Sequence, residues 1–177
     1  MRVGVAIVWC HALLLVACAE PARPSRKSPT SSERPPAHIS YDLRVVFSDS
    51  THTRAVLQAA EARVYDDRQE TILRDTVTVA FFSRSTGARV ARLSADSAVI
   101  DDRTKNMHAF GDVRIWSDST RTLLETQTLF WDHARQRIST KDFVRITAPS
   151  ETIQGVGFES DQFLTSYTLY NVQGERR

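Results

Sequence analysis

Beyond residue 39 the apolar residues alternate with polar ones at a step of two, as they do on a strand whose successive side chains face opposite sides of a sheet. Four stretches superpose. Leu57, Ala59, Ala62 and Val64 correspond to Leu93, Ala95, Ala98 and Ile100, then to Leu124, Thr126, Leu129 and Trp131, then to Ile153, Gly155, Phe158 and Ser160. Each stretch steps by two, three and two, and the single step of three is what a bulge or bend inserts into a strand. A turn rich in Asp, Asn or Arg follows each stretch: Asp66 to Arg68, Asp101 to Asn106, Asp132 to Gln136, and Asp161 with Gln162. Second strands come next, and they superpose too. Thr71, Leu73, Val77 and Val79 fall on Met107, Ala109, Val113 and Ile115, and then on Ile138, Thr140, Val144 and Ile146.

The units recur at about 36, 31 and 29 residues, and two strands alone bury no core, so neighbouring units must stack. The product is an all-β domain of antiparallel strands over residues 39–174, built as a sandwich, a jelly roll or an open roll. A first strand over Tyr41 to Phe47 turns inward Leu43, Val45 and Phe47, and the polar run Ser48 to Thr53 is expected as its turn. Ser85-Thr86-Gly87 and Asp118-Ser119-Thr120 supply further turns. The inner face then carries Val79, Leu93, Ala95, Val113, Ile115, Leu124, Thr126, Val144, Ile146 and Phe158, a set that serves equally as a core or as a surface for something greasy. Arg114, Ser117, Glu125 and Arg145 are expected on the water side. Phe163 to Val172 holds no charge and no Pro, in a chain that is 25% charged. Sheets usually protect such a segment, so Tyr167, Leu169 and Asn171 are expected to form an open edge suited to strand addition.

The amino terminus follows a different pattern. Met1-Arg2 leads into an apolar run from Val3 to Ala17, too short for a bilayer span and suited to a secretory signal over residues 1–17. Leu15-Val16-Ala17-Cys18 resembles the lipobox of bacterial lipoproteins, in which cleavage precedes an acylated Cys. Cys10 would leave with the signal and Cys18 would carry lipid, so no disulfide remains. Residues 18–38 contain five of the six prolines and read as an extended, solvated tether; residues 175–177 read as a short tail.

Composition removes several function classes. With 23 basic and 21 acidic side chains spread along the strands there is no basic stripe, and nucleic acid is not indicated. His11, His38, His52, His108 and His133 never fall at metal-ligand spacing, and no Gly-x-Ser-x-Gly elbow or phosphate-cradling loop occurs. Asp66-Asp67 and Asp101-Asp102 sit in turns, where Asp bonds its own backbone. Gly155 and Gly157 fit a bulge or a close backbone approach. The residues supply no catalytic group, no metal site and no cofactor motif.

Several motifs occur in a recognisable order. A lipobox and Pro-rich tether precede Val45-Val46-Phe47-Ser48-Asp49-Ser50 and Ala55-Val56-Leu57-Gln58-Ala59; Val79-Ala80-Phe81-Phe82 precedes Gly87 and Leu93-Ser94-Ala95-Asp96-Ser97-Ala98. Leu124-Glu125-Thr126, Leu129 to Asp132, Ile138-Ser139-Thr140 and Ile153 to Asp161 complete the series. Over residues 41–174 this order resembles the LptC family. The resemblance implies a twisted, open, V-shaped β-jelly roll of the OstA-like kind. It also implies a periplasmic, non-enzymatic lipopolysaccharide carrier without cofactor, with the inner-face residues named above lining its groove. Such a protein accepts lipopolysaccharide from an inner-membrane ABC transporter and passes it to a bridging jelly-roll protein of the LptA type. Anchorage through acylated Cys18 replaces the family's uncleaved membrane helix, with the inner membrane favoured over the outer. The alternatives are an outer-membrane-anchored assembly or bridging lipoprotein, and a secreted β-sandwich hydrolase, whose acid and base could come only from the turn aspartates.

The lipobox yields a direct expectation. In cells fed a labelled fatty acid, the wild-type chain takes up label and Cys18→Ala takes up none. Equal labelling of the two would remove the lipid anchor.

Overall fold

The computed structural model describes residues 34–49 and 51–175; Cys18, the signal segment and nearly all of the tether lie outside the described residues. Twelve strands and no helix occur among the described residues: β1 (His38–Asp49), β2 (His52–Tyr65), β3 (Glu70–Arg74), β4 (Val77–Phe82), β5 (Arg89–Ala95), β6 (Ser97–Asp101), β7 (Met107–Ser117), β8 (Thr122–Asp132), β9 (Arg137–Thr147), β10 (Thr152–Asp161), β11 (Tyr167–Leu169) and β12 (Gln173–Glu175). All pairings are antiparallel.

Together they form one meander of long strands that all break near their middles. β3 and β4 are two parts of one path beside β2, interrupted at Asp75 and Thr76, which both have positive φ. β5 and β6 are likewise one path, interrupted at Asp96, whose N–H donates to the Gly111 carbonyl at 3.0 Å. Buried positions step by three in β2 (Ala59 to Ala62), across β5 and β6 (Ala95 to Ala98), in β8 (Thr126 to Leu129) and in β10 (Gly155 to Phe158). In the intervening strands they step by four: Leu73 to Val77, Ala109 to Val113, and Thr140 to Val144. From β2 to β10 three positions therefore face four at each neighbouring pair, which is a one-residue bulge, and the pairing register slips there in β7–β8, β8–β9 and β9–β10. Gly111, at φ +75°, shows why the line is chemically demanding: a Cβ there would lie 2.3 Å from an Asp96 carboxylate oxygen.

The row of bulges divides the sheet into two halves that fold over each other. Within the sheet Phe47 on β1 and Trp131 on β8 are five strand spacings apart, about 24 Å if it lay flat. Their ring centroids are 6.4 Å apart, and Phe81 on β4 stands 5.8 Å from Trp131. The sheet is thus a roll, with one core cluster running from Ala55 to Leu164 between its halves. Each fully buried Leu, Ile, Val or Phe contributes roughly 1.5–3 kcal/mol against exposure.

Four details differ from the alternation-based expectations. The turn expected over Ser48 to Thr53 is much tighter: Ser48 still pairs with Thr53 and Asp49 with His52, because a bulge after Phe47 lets polar residues stay in the ladder. Ser117, expected on the water side, is fully buried; it lies two residues from Ile115 and so shares its face, with its hydroxyl 3.1 Å from Ser119 Oγ. Of the uncharged carboxy-terminal run only Tyr167–Leu169 is strand, paired to Ser160 through Phe158; Asn171 lies beyond it at φ 45° with an exposed side chain. Glu175, assigned to the tail, closes β12 opposite Thr152. Gly155 permits this return of the chain, since a Cβ there would meet the Tyr170 carbonyl at 2.5 Å.

The turn after β10 depends on one carboxylate. Asp161 accepts the backbone N–H groups of Phe163 at 2.7 Å, Thr165 at 3.3 Å and Ser166 at 2.8 Å, and the Thr165 hydroxyl at 2.5 Å. The loop it ties down seats Leu164 in the core. Burial pushes the Asp161 carboxyl upward, but the Thr165 hydroxyl and the three N–H groups outweigh it and hold it below the usual aspartate value. Asp161→Ala should cost about 2 kcal/mol at neutral pH, a Tm drop on the order of 5 °C. Because the folded-state pKa is depressed, the contribution is full above the ordinary aspartate value and fades as pH falls through the folded one. Thermal melts of both chains should converge in acid; a gap independent of pH would show that the carboxylate is not the source.

Candidate functional site

Antiparallel pairing turns the alternating apolar residues into rows that run across the strands. Val45, Leu57, Val79, Leu93, Ile115, Leu124, Ile146 and Ile153 are successive partners, one from each neighbouring strand. Beside this row, Val77 faces Ala95, and Val113, Thr126, Val144 and Gly155 follow in order. Five of the residues expected to line a groove (Val79, Leu93, Ile115, Leu124 and Ile146) lie in the first row. Ala95, Val113, Thr126 and Val144 lie in the second. Phe158 is on the opposite half, past the bulge at Gly157, and all ten are buried in one cluster or, for Thr126, at its margin.

Among the described residues no Asp, Glu, Lys or Arg is buried in the interior. Its buried polar residues are hydroxyls and one amide: Ser117, Thr122, Thr126, Thr140, Ser160 and Gln162. The hydroxyls are satisfied nearby, as where Thr126 Oγ1 donates to the Phe143 carbonyl at 2.9 Å and Ser160 Oγ donates to that of Ser166 at 3.0 Å. Such a surface is chemically suited to hydrocarbon. On the outer side of the same strands Arg114 and Arg145 are exposed and Glu125 is half-buried, as alternation predicts.

Asp101 and Asp102 are occupied by structural bonds. Asp101 Oδ1 accepts the N–H groups of Arg103 and Thr104 at 2.9 Å each, and the Thr104 N–H leads the causes that lower its carboxyl pKa. Asp102 takes the Thr71 hydroxyl at 2.9 Å. Among the described residues no group of three or more His, Cys, Asp and Glu is placed to hold a metal.

One end of the roll combines aromatic and charged residues that alternation does not reveal. Trp131 meets Phe47, Phe81 and His133 nearly edge-on, at 6.4, 5.8 and 5.3 Å. Phe47 and His133 also border a cavity of about 460 Å³ whose other walls include Asp49, Arg54, Arg84 and Gln136. Asp49 Oδ2 lies 3.4 Å from Arg54 Nε and 3.2 Å from Arg84 Nε, and it also accepts Arg84 Nη2. The Arg84 hydrogen bond is the main reason that the Asp49 carboxyl sits below its ordinary value. These residues come from three separate hairpins. No sequence spacing indicates which hairpin ends meet once the sheet rolls, and the only available signal is the Phe and Trp residues at strand ends.

At the free borders of the sheet the two sides differ. β1 pairs only with β2, and along it Ile39, Tyr41 and Val46 are 41%, 71% and 44% exposed. On the other side β10 is covered by the two short strands β11 and β12, joined through Tyr170, which exchanges backbone hydrogen bonds of 2.9 and 3.0 Å with Gly157 and Val156.

A family model described as "Lipopolysaccharide-assembly, LptC-related" matches residues 5–175. Among solved structures the roll is similar to LptH of Pseudomonas aeruginosa, described as the LptA-homologous periplasmic component of a lipopolysaccharide transport device. The TM-score is 0.55 at 13% identity, over 70% of this chain and 94% of that one. No curated protein matches the chain.

Proposed function

Because the chain belongs to the LptC-related lipopolysaccharide-assembly family, we propose that its roll carries the acyl chains of lipopolysaccharide along the apolar rows between its two halves. It is a non-enzymatic component of lipopolysaccharide transport in the periplasmic envelope. The observation that carries the finer reading is the row from Val45 to Ile153, eight apolar side chains in register across the half-sheet, with no buried charged side chain among the described residues. Acyl chains leaving a bilayer lose roughly 0.8 kcal/mol per methylene exposed to water, so passage between membranes needs a continuous apolar lining. The core side chains pack against one another along that lining. Loading therefore requires the halves to part about the line of bulges, where the backbone ladder is already interrupted.

In this reading the inner-membrane ABC transporter delivers the lipid, acylated Cys18 keeps the roll on that membrane, and a bridging jelly-roll protein of the LptA type receives it. The carboxy-terminal border, with Tyr167 and Leu169 on β11 and Asn171 just past its end, docks that recipient by strand addition along β11. β11 is short and uncharged, and its outer side has no partner among the described residues.

Photo-crosslinking in living cells tests the carrying reading. Probes at Val79, Val113, Ile115, Thr126 and Ile146 should label lipopolysaccharide, whereas probes at Arg114, Glu125 and Arg145 should not. Equal labelling from both faces would end the proposal, because alternate residues of a strand cannot share one face.

The docking border has its own test. Thr168→Pro, or removal of Tyr167 to Arg177, should abolish capture of the bridging protein in pull-downs, with binding to the transporter retained. Full capture by either variant would move the docking site to the opposite border, along β1.

A further inference from the structure

The charged cavity at the aromatic end of the roll is lined by residues that leave a guanidinium donor and an imidazole nitrogen unpaired. Arg54 and Arg84 both point at one carboxylate, Asp49, and so leave an excess positive charge. Arg54 Nη1 is buried without a hydrogen-bond partner, and so is Nδ1 of His133. Both residues line the same cavity. A buried guanidinium N–H without an acceptor has lost its water and gained nothing in exchange, so native structures supply one. The guanidinium is planar, with N–H groups in a fixed fork that matches the spacing of oxygens on a phosphate.

From these groups we infer that Arg54, Arg84 and His133 form a phosphate-binding site at the mouth of the roll. Asp49 holds the two guanidiniums in place. An arriving phosphate monoester accepts Arg54 Nη1 and the Nδ1–H of His133 and competes with Asp49 for Arg84, whose side chain is 69% exposed and free to turn. The Gln136 amide, which donates to the His133 carbonyl at 2.6 Å, fixes the loop that carries the imidazole. The location is informative as well: Phe47 and His133 wall the cavity and lean on Trp131, so the phosphate lies where the apolar interior ends and water begins. That boundary suits a phosphorylated sugar headgroup whose acyl chains lie inside, and this choice of ligand rests on the carrier reading above. A free phosphate presents the same chemistry.

The test uses the full chain with three probes: inorganic phosphate, lipopolysaccharide, and the same lipopolysaccharide stripped of its headgroup phosphates. Arg84→Gln should weaken binding of intact lipopolysaccharide at least tenfold and leave binding of the stripped form unchanged, with an unaltered melting curve. Arg84→Lys should recover only part of the loss. Asp49→Asn, which removes the competing carboxylate, should tighten phosphate binding several-fold, whereas a merely structural Asp49 would predict no gain. If inorganic phosphate alone saturates the site with the same dependence on Arg84, the site stands and its source is free phosphate. If neither the headgroup phosphates nor Arg84 affects binding of any probe, the site is refuted. Acyl crosslinking inside the roll reads the carrier proposal separately, so either can fail without the other.

Discussion

Every strand of this roll must break its parity at the same level, and the rest of the structure depends on that constraint. A sheet of long strands with uninterrupted alternation would be a twisted ribbon with one greasy face open to water. One extra residue in every second strand bends all of them together, and the greasy faces of the two halves turn toward each other. The interior, the meeting of Phe47 and Phe81 with Trp131, and the cavity between Arg54 and His133 all exist because the bends are aligned.

That constraint is also what made the fold readable. A step of three among steps of two appears directly in the order of residues, so the inner-face residues from Val79 to Phe158 could be identified without any contact information. Ser117 shows the limit of polarity as a guide: its parity places it inside, and only its hydroxyl suggested water. Ser48 to Thr53 misled for a related reason, since polar residues in a short hairpin look like a loop even when each is paired. The phosphate site was not legible at all. Asp49, Arg54, Arg84 and His133 come together through the closure of the roll, and rolling leaves no periodic trace in the chain.

Filling of the interior also explains the division of labour among its residues. Rows of Val, Leu and Ile against Ala and Thr give an apolar core, and among the described residues its buried polar groups are a few hydroxyls and one amide. Across the interior the facing halves meet through buried apolar side chains, contacts of the same kind that hydrocarbon makes. A cross-core ion pair would have fixed the closed state, because breaking it would strand a buried charge.

The two borders of the sheet, finally, are unlike. One is a continuous twelve-residue strand, His38–Asp49, and the other is a pair of three-residue pieces separated by Tyr170 to Val172. Self-complementary pairing across a two-fold axis would use the same border twice. Contacts that join unlike borders are heterologous instead, and they generate a row with a head and a tail that has no built-in point of closure. A row of such rolls has a defined polarity before any cargo enters it, so the direction of travel along it can be encoded in the order of subunits, with no valve needed inside each one.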